Sequence, residues 1–181
     1  MQKRLIEQFF RMDERSWERH ATGWSVWTRF ATLPFLFLAC WSHVWIGPWG
    51  AGAAISAIAL WLWVNPRILP LPSRPDTWQA KATFGERVWL NRFQIPIPAN
   101  HVKIALGLSA LASAGFLTGL YGALTNSLWL TLVGGTLTYG GKLLFLDRMV
   151  RLYHDMKDKD PIYGSWLRIP SNDNRKRRDA A

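Results

Sequence analysis

The sequence is short of the residues that chemistry at a site usually needs. Its one cysteine, Cys40, cannot pair within the chain, which excludes a disulfide scaffold. The four histidines, His20, His43, His101 and His154, are scattered without metal-ligand spacing, so no metal is expected. No GxxxxGK(S/T), GxSxG, HExxH or CxxC run occurs, and no cofactor is expected. Acidic residues number 12 against 22 Lys+Arg, a net charge of +10. Charge is missing altogether over two long stretches. Phe30–Pro66 and Ile104–Gly141 contain no Asp, Glu, Lys or Arg. A membrane-spanning helix needs about 20 mostly apolar residues, and each stretch is nearly twice that. The mean hydropathy of −0.02 hides this blockiness. The pattern argues against a soluble fold and against a disordered polar chain.

Each block breaks near its middle. Leu33–Ile46 is apolar, Gly47-Pro48 makes a turn, and Trp49–Val64 is apolar again. The second block runs Ile104–Leu120, a connection over Tyr121–Asn126, then Ser127–Phe145. Unpaired backbone groups are costly in hydrocarbon, so these segments are expected to be helices. The expected fold is all-α: a four-helix transmembrane bundle of two hairpins, with an N-terminal interfacial amphipathic helix and a cytoplasmic central loop. The corresponding divisions are 1–23 for the amphipathic helix, 24–65 for the first hairpin and 66–103 for the loop. The second hairpin takes 104–146 and the tail 147–181.

Every Lys and Arg falls in residues 1–29, 65–103 or 142–181, and the two tight connections carry none. By the positive-inside rule this predicts a multi-pass protein of the bacterial inner (cytoplasmic) membrane with both termini cytoplasmic. Trp41, Trp45, Trp49 and Trp129 fall near the outer boundary, and Trp24, Trp27, Trp61 and Trp63 near the inner one, as indole anchors do. Leu5, Ile6, Phe9, Phe10, Asp13 and Trp17 recur at helical spacing, apolar except for Asp13, which suits a helix in the cytoplasmic interface or on another protein surface.

Small residues suggest where helices meet. Gly52 and Ser56 lie four apart in the second expected span, and Gly115 and Gly119 form a GxxxG in the third. Such positions allow close backbone approach, either within the chain or against another membrane subunit. In the central loop, Trp78–Arg92 has the pattern of a short amphipathic helix. Arg67, Lys81, Arg87 and Arg92, interleaved with Trp, are candidates for binding lipid phosphate, because guanidinium pairs with phosphate bidentately. A solvated connector is the plainer alternative. The tail run Arg175-Lys176-Arg177-Arg178 would adsorb to anionic lipid. Topology already accounts for the positive charge, so no nucleic acid partner is expected.

Three functions stay open. The first is a non-catalytic accessory or assembly subunit of a larger membrane complex, or a lipid-organising protein, whose partners are membrane lipids with anionic headgroups and other membrane protein subunits. The second is a membrane-embedded enzyme acting on a lipid or isoprenoid phosphate headgroup, drawing its acid/base from His20, Glu86 or Asp147. The third is a pigment- or haem-associated protein using His43 as ligand.

Several runs resemble a family. They are Trp17-Glu18-Arg19-His20, Ser25-Val26-Trp27-Thr28-Arg29, Asn65-Pro66-Arg67, Gly85-Glu86-Arg87-Val88-Trp89-Leu90-Asn91-Arg92 and Gly141-Lys142 with Phe145-Leu146-Asp147-Arg148-Met149-Val150. Together they are similar to a family of small bacterial and archaeal membrane proteins classed as a domain of unknown function, over about residues 8–156. Thr22-Gly23 stands where the family pattern has Asn-Pro, and the tail after Lys157 lies outside the resemblance. The resemblance implies a polytopic membrane protein and no particular activity.

Overall fold

The computed structural model describes residues 22–68 and 76–166. The expected interfacial helix, His20, the first Pro-rich stretch after Leu69 and the basic tail lie outside those residues. The described chain is all-helical, with no strand among the described residues. Its helices are α1 (Gly23–Trp41), α2 (His43–Ile68), α3 (Trp78–Leu90), α4 (Ala99–Leu124), α5 (Leu128–Met156) and α6 (Pro161–Ser165). Two of them, α2 over His43–Asn65 and α4, are long and apolar enough to cross a membrane. α1 carries Thr28, Arg29, Thr32 and Pro34 within its length, and α5 a glycine- and threonine-rich middle and Lys142.

Both connections are tight and sit at the same end of the bundle. α1 ends at Trp41, and the orphan carbonyls of its last turn find local donors. Ser42 Oγ donates to the Ala39 carbonyl at 2.7 Å, and His43 Nδ1 lies 2.7 Å from the Cys40 carbonyl. Gly47 then turns the chain at φ 72°, ψ 171°, a conformation open to glycine and costly for other residues. Pro48 restarts the helix without missing a bond, since a first-turn N–H has no intrahelical acceptor. α4 ends in a Schellman arrangement: Asn126 takes the left-handed conformation at φ 56°, and the Ser127 N–H donates to the Gly122 carbonyl at 2.8 Å. The expected connection over Tyr121–Asn126 thus shortens to Thr125–Ser127, because the helix continues through Leu124.

α4 and α5 pack backbone to backbone. A Cβ placed on Gly115 would come 2.6 Å from the Thr138 nitrogen, and one on Gly122 would come 2.5 Å from that of Thr131. Gly134 lies against the backbone of Gly119 and Gly115. The GxxxG therefore meets α5 of its own chain. Gly52 has no atom within 4 Å of its Cβ position, and Ser56 is exposed, its hydroxyl donating to the Gly52 carbonyl.

The α1–α2 hairpin is held at the opposite end, the base, by a buried polar network. Ser25 Oγ donates to Asn65 Oδ1 at 2.8 Å, and Asn65 Nδ2 donates to Thr28 Oγ1 at 2.8 Å. Asn65 is fully buried, and α2 continues past Pro66 to Ile68.

The base is where the expected loop departs most from a connector. Thr77 caps α3 by accepting from the Ala80 N–H, and α3 buries Ala80, Ala82, Phe84, Gly85 and Val88. These residues form a core with Phe145, Leu146, Met149, Leu152, Tyr153, Met156 and Tyr163. α5 supplies half of that core because it runs on to Met156, well beyond residue 146. At 1.5 Å per residue it is about 43 Å long. Gly85 sits so close to the Met149 carbonyl that no Cβ fits between them. Tyr153 is fully buried, donates to the Tyr163 carbonyl at 3.0 Å, and has its phenol pushed up to about 12 by burial. His101 Nε2 lies 2.8 Å from Asp155 Oδ2, tying the start of α4 to the end of α5.

Gly85→Ala is expected to cost about 3 kcal/mol or more, because the overpacked neighbour is backbone and cannot rotate away. Gly52→Ala is expected to be neutral or to stabilise by about 0.5–1 kcal/mol, the ordinary helix-interior difference. Thermal unfolding of the two purified variants in one detergent checks both. Equal melting temperatures would contradict the packing at Gly85.

Candidate functional site

A cavity of about 520 Å³ lies where α1, α3, α4 and α5 come together near the base, with Leu62 of α2 at its edge. Its size is that of pockets that hold small organic molecules. Chain direction sorts its lining. Leu33, Leu36 and Phe116 lie on the side toward the Gly47 and Asn126 turns, and Arg29, Thr83, Glu86 and Lys142 lie toward the base. The result is an apolar chamber with charge at one end.

Phe30 and Tyr139 also line the cavity, and a proline explains why they meet. Pro34 has no N–H to offer the carbonyl four residues earlier, which belongs to Phe30. A carbonyl in an apolar setting needs a donor. The Tyr139 hydroxyl of α5 supplies it at 2.7 Å, and the two rings stack with centroids 5.7 Å apart. One side chain thus repairs the helix and anchors α1 to α5.

At the charged end, Lys142 Nζ donates to Glu86 Oε1 at 2.7 Å, joining α5 to α3. The lysine also lies 4.8 Å from the centre of the Phe145 ring. Glu86 is mostly buried, with 21% of its side chain exposed, and Lys142 is more open at 44%. Arg29 donates from Nε to the Ser25 carbonyl at 2.9 Å and interacts electrostatically with Glu86. Two cations and one carboxylate therefore face one cavity. The arrangement can bind and orient a charged headgroup while apolar walls receive what is attached to it.

The residues expected to bind phosphate each meet a partner within the protein. Arg67 donates from Nη1 to the Trp63 carbonyl and stacks over the Trp63 ring at 4.0 Å. Arg87 lies over Trp166 at 4.3 Å, and Arg92 over Trp89 at 4.1 Å and Phe93 at 4.3 Å. Lys81 pairs with Asp76 at 2.6 Å, and its hydrogen bond and charge hold that carboxyl below its usual range. The Arg–Trp interleaving seen in the sequence becomes local cation–π pairing at Arg67–Trp63 and Arg92–Trp89, whereas Arg87 meets the distant Trp166.

Of the acid/base candidates, Glu86 reaches the cavity. Asp147 is tied to Arg151 at 2.9 Å, and His20 lies outside the described residues. His43 is half-buried at the start of α2. Because a carbonyl only accepts, its Nδ1 is the donor in the contact with Cys40. Among the described residues no three His, Cys, Asp or Glu side chains cluster as a metal site. Arg29 and Tyr139 were not legible as site residues from charge counting. The available signal was Pro34 inside an expected span, which obliges some partner to satisfy the Phe30 carbonyl.

The model of DUF6653, a family of unknown function, matches residues 1–167. The match extends the resemblance at both ends, taking in the first residues and the segment after Lys157. No curated protein and no solved structure matches the chain.

Tyr139→Phe is expected to cost about 1–3 kcal/mol, the penalty of an unsatisfied buried acceptor. Pro34→Ala restores an N–H to the helix, so in that background Tyr139→Phe should cost at least about 1 kcal/mol less, a coupling measurable by a double-mutant cycle. Identical costs in both backgrounds would refute the assignment.

Proposed function

The chain belongs to DUF6653, a family of unknown function, and from that premise we propose that it is a multi-pass inner-membrane protein that holds one amphiphile at the boundary of the cytoplasmic leaflet. The observation that carries this reading is the cavity, with Leu33, Leu36 and Phe116 at one end and Arg29, Glu86 and Lys142 at the other. An apolar chamber with a polar end suits a molecule built the same way. The two helical hairpins are read as four spans. Support comes from the confinement of all Lys and Arg to segments on one side and from the apolar length of α2 and α4. α5 exceeds the roughly 20 residues a span needs, and its excess builds the base. In this topology α3 and both termini lie in the cytoplasm, and the Arg–Trp pairs sit at headgroup level. The role is binding and organising lipid rather than turnover.

A second reading, an accessory subunit docking on a larger membrane complex, is favoured by α2. That helix packs against α1 and leaves its Gly52–Ser56 side exposed. Small-residue faces of this kind let another helix approach closely.

Two measurements test the main reading. Reporter fusions at Gly47 and Asn126 are both expected to emerge in the periplasm, and a cytoplasmic signal from either overturns the topology. Native mass spectrometry of the chain released from membranes is expected to show one retained phospholipid. Leu36→Trp, which fills the cavity, should reduce that retention about fivefold or more, equivalent to roughly 1 kcal/mol of binding. Retention unchanged by the filled cavity places the lipid elsewhere and defeats the proposal.

A further inference from the structure

The cavity has a feature that a site for simple anions would lack: a mostly buried carboxylate. Glu86 is the one carboxylate among the described residues that line it, and it is already bonded to Lys142. Three kinds of headgroup meet this pair differently. A neutral headgroup leaves the pair intact and gains nothing from either charge. A purely anionic headgroup that takes Lys142 breaks the hydrogen-bonded pair and leaves Glu86 to the field of Arg29 alone, and a mostly buried carboxylate that loses its hydrogen-bonded cation is destabilised. A headgroup carrying both a phosphate and a primary ammonium exchanges one ion pair for two. Its phosphate oxygens accept from Lys142 Nζ, in the positive field of Arg29, and its ammonium donates to Glu86. Lys142 and Glu86 each keep a hydrogen-bonded counter-charge, and no proton moves. Charge-assisted hydrogen bonds of both signs then fix the headgroup's orientation as well as its identity.

We infer that the cavity is selective for a zwitterionic aminophospholipid, whose phosphate and primary ammonium together replace the Lys142–Glu86 pair, over an anionic phospholipid. This rests on the reading of the cavity as an amphiphile site and narrows its ligand class. The sequence-based expectation of anionic headgroups drew on the basic tail, which lies outside the described residues, and on arginines that lie over aromatic rings. The residues that converge carry both signs.

The test is lipid competition on the full chain. The protein is purified in mild detergent and equilibrated with equimolar phosphatidylethanolamine, phosphatidylglycerol and phosphatidylcholine of matched acyl chains. Retained lipid is then read by native mass spectrometry. Phosphatidylethanolamine is expected to be retained about fivefold or more over each of the others, a difference of roughly 1 kcal/mol. Phosphatidylcholine loses because its quaternary ammonium has no N–H to give Glu86. Glu86→Gln should bring the ethanolamine-to-glycerol ratio to about one. The exchange of Glu86→Lys with Lys142→Glu, which keeps an ion pair across α3 and α5, should retain the preference. Equal or greater retention of phosphatidylglycerol by the unaltered chain, or a preference that survives Glu86→Gln, overturns the selectivity while leaving the amphiphile site standing. Retention of no phospholipid of any class overturns the site itself. Displacement by an equal concentration of soluble glycerophosphoethanolamine overturns the assignment to a lipid.

Discussion

Close backbone approach along α5 is the constraint on which the rest of the molecule depends. This one helix is approached on its first half by α4, through Gly115, Gly122 and Gly134, and on its second half by α3, through Gly85 against Met149. Where side chains are absent, helices lie near enough for many weak contacts to accumulate. The position of α3 follows from its seat on α5, and with it the placement of Glu86 opposite Lys142. The position of α1 follows from Tyr139, which reaches out of α5 to the carbonyl that Pro34 leaves without a donor. The cavity is what remains between three neighbours fixed to a common rod.

That geometry also decides which charges can act together. Arg67, Arg87 and Arg92 lie on elements with an indole close at hand, and each guanidinium settles over a ring. Lys142 and Glu86 are brought across a helix–helix contact to 2.7 Å with Arg29 in the same field. Convergence of this kind depends on tertiary packing, and a charge count along the chain cannot reveal it.

Much of the helical pattern was legible in the sequence. The Gly47-Pro48 break, the helix beginning at Trp78 and the small residues of the α4 stretch each rest on a local rule about glycine, proline or periodicity. Positions set by long-range contact were less visible. The central stretch read as an interfacial helix or a solvated connector because its apolar residues, Ala80, Phe84 and Val88, find their partner some sixty residues later in α5. The end of the second hairpin was drawn at residue 146, where hydropathy falls, although the helix itself continues to Met156 on a core that membrane-based reasoning does not consider. The cavity residues Arg29 and Tyr139 were hidden for the same reason, since their roles are defined by what stands opposite.

The unequal apolar character of the helices has an outcome for biogenesis. α2 and α4 qualify as spans by length and composition, whereas α1 and α5 do not. Each weak helix is joined to a strong one by a link of a few residues. For a chain laid into a bilayer, this coupling makes the pair the unit of partitioning. In the proposed four-span topology the strongly lipophilic member would carry its hesitant neighbour across, Arg29 and Lys142 would stay behind at the entry face, and cavity assembly would wait until both pairs had arrived.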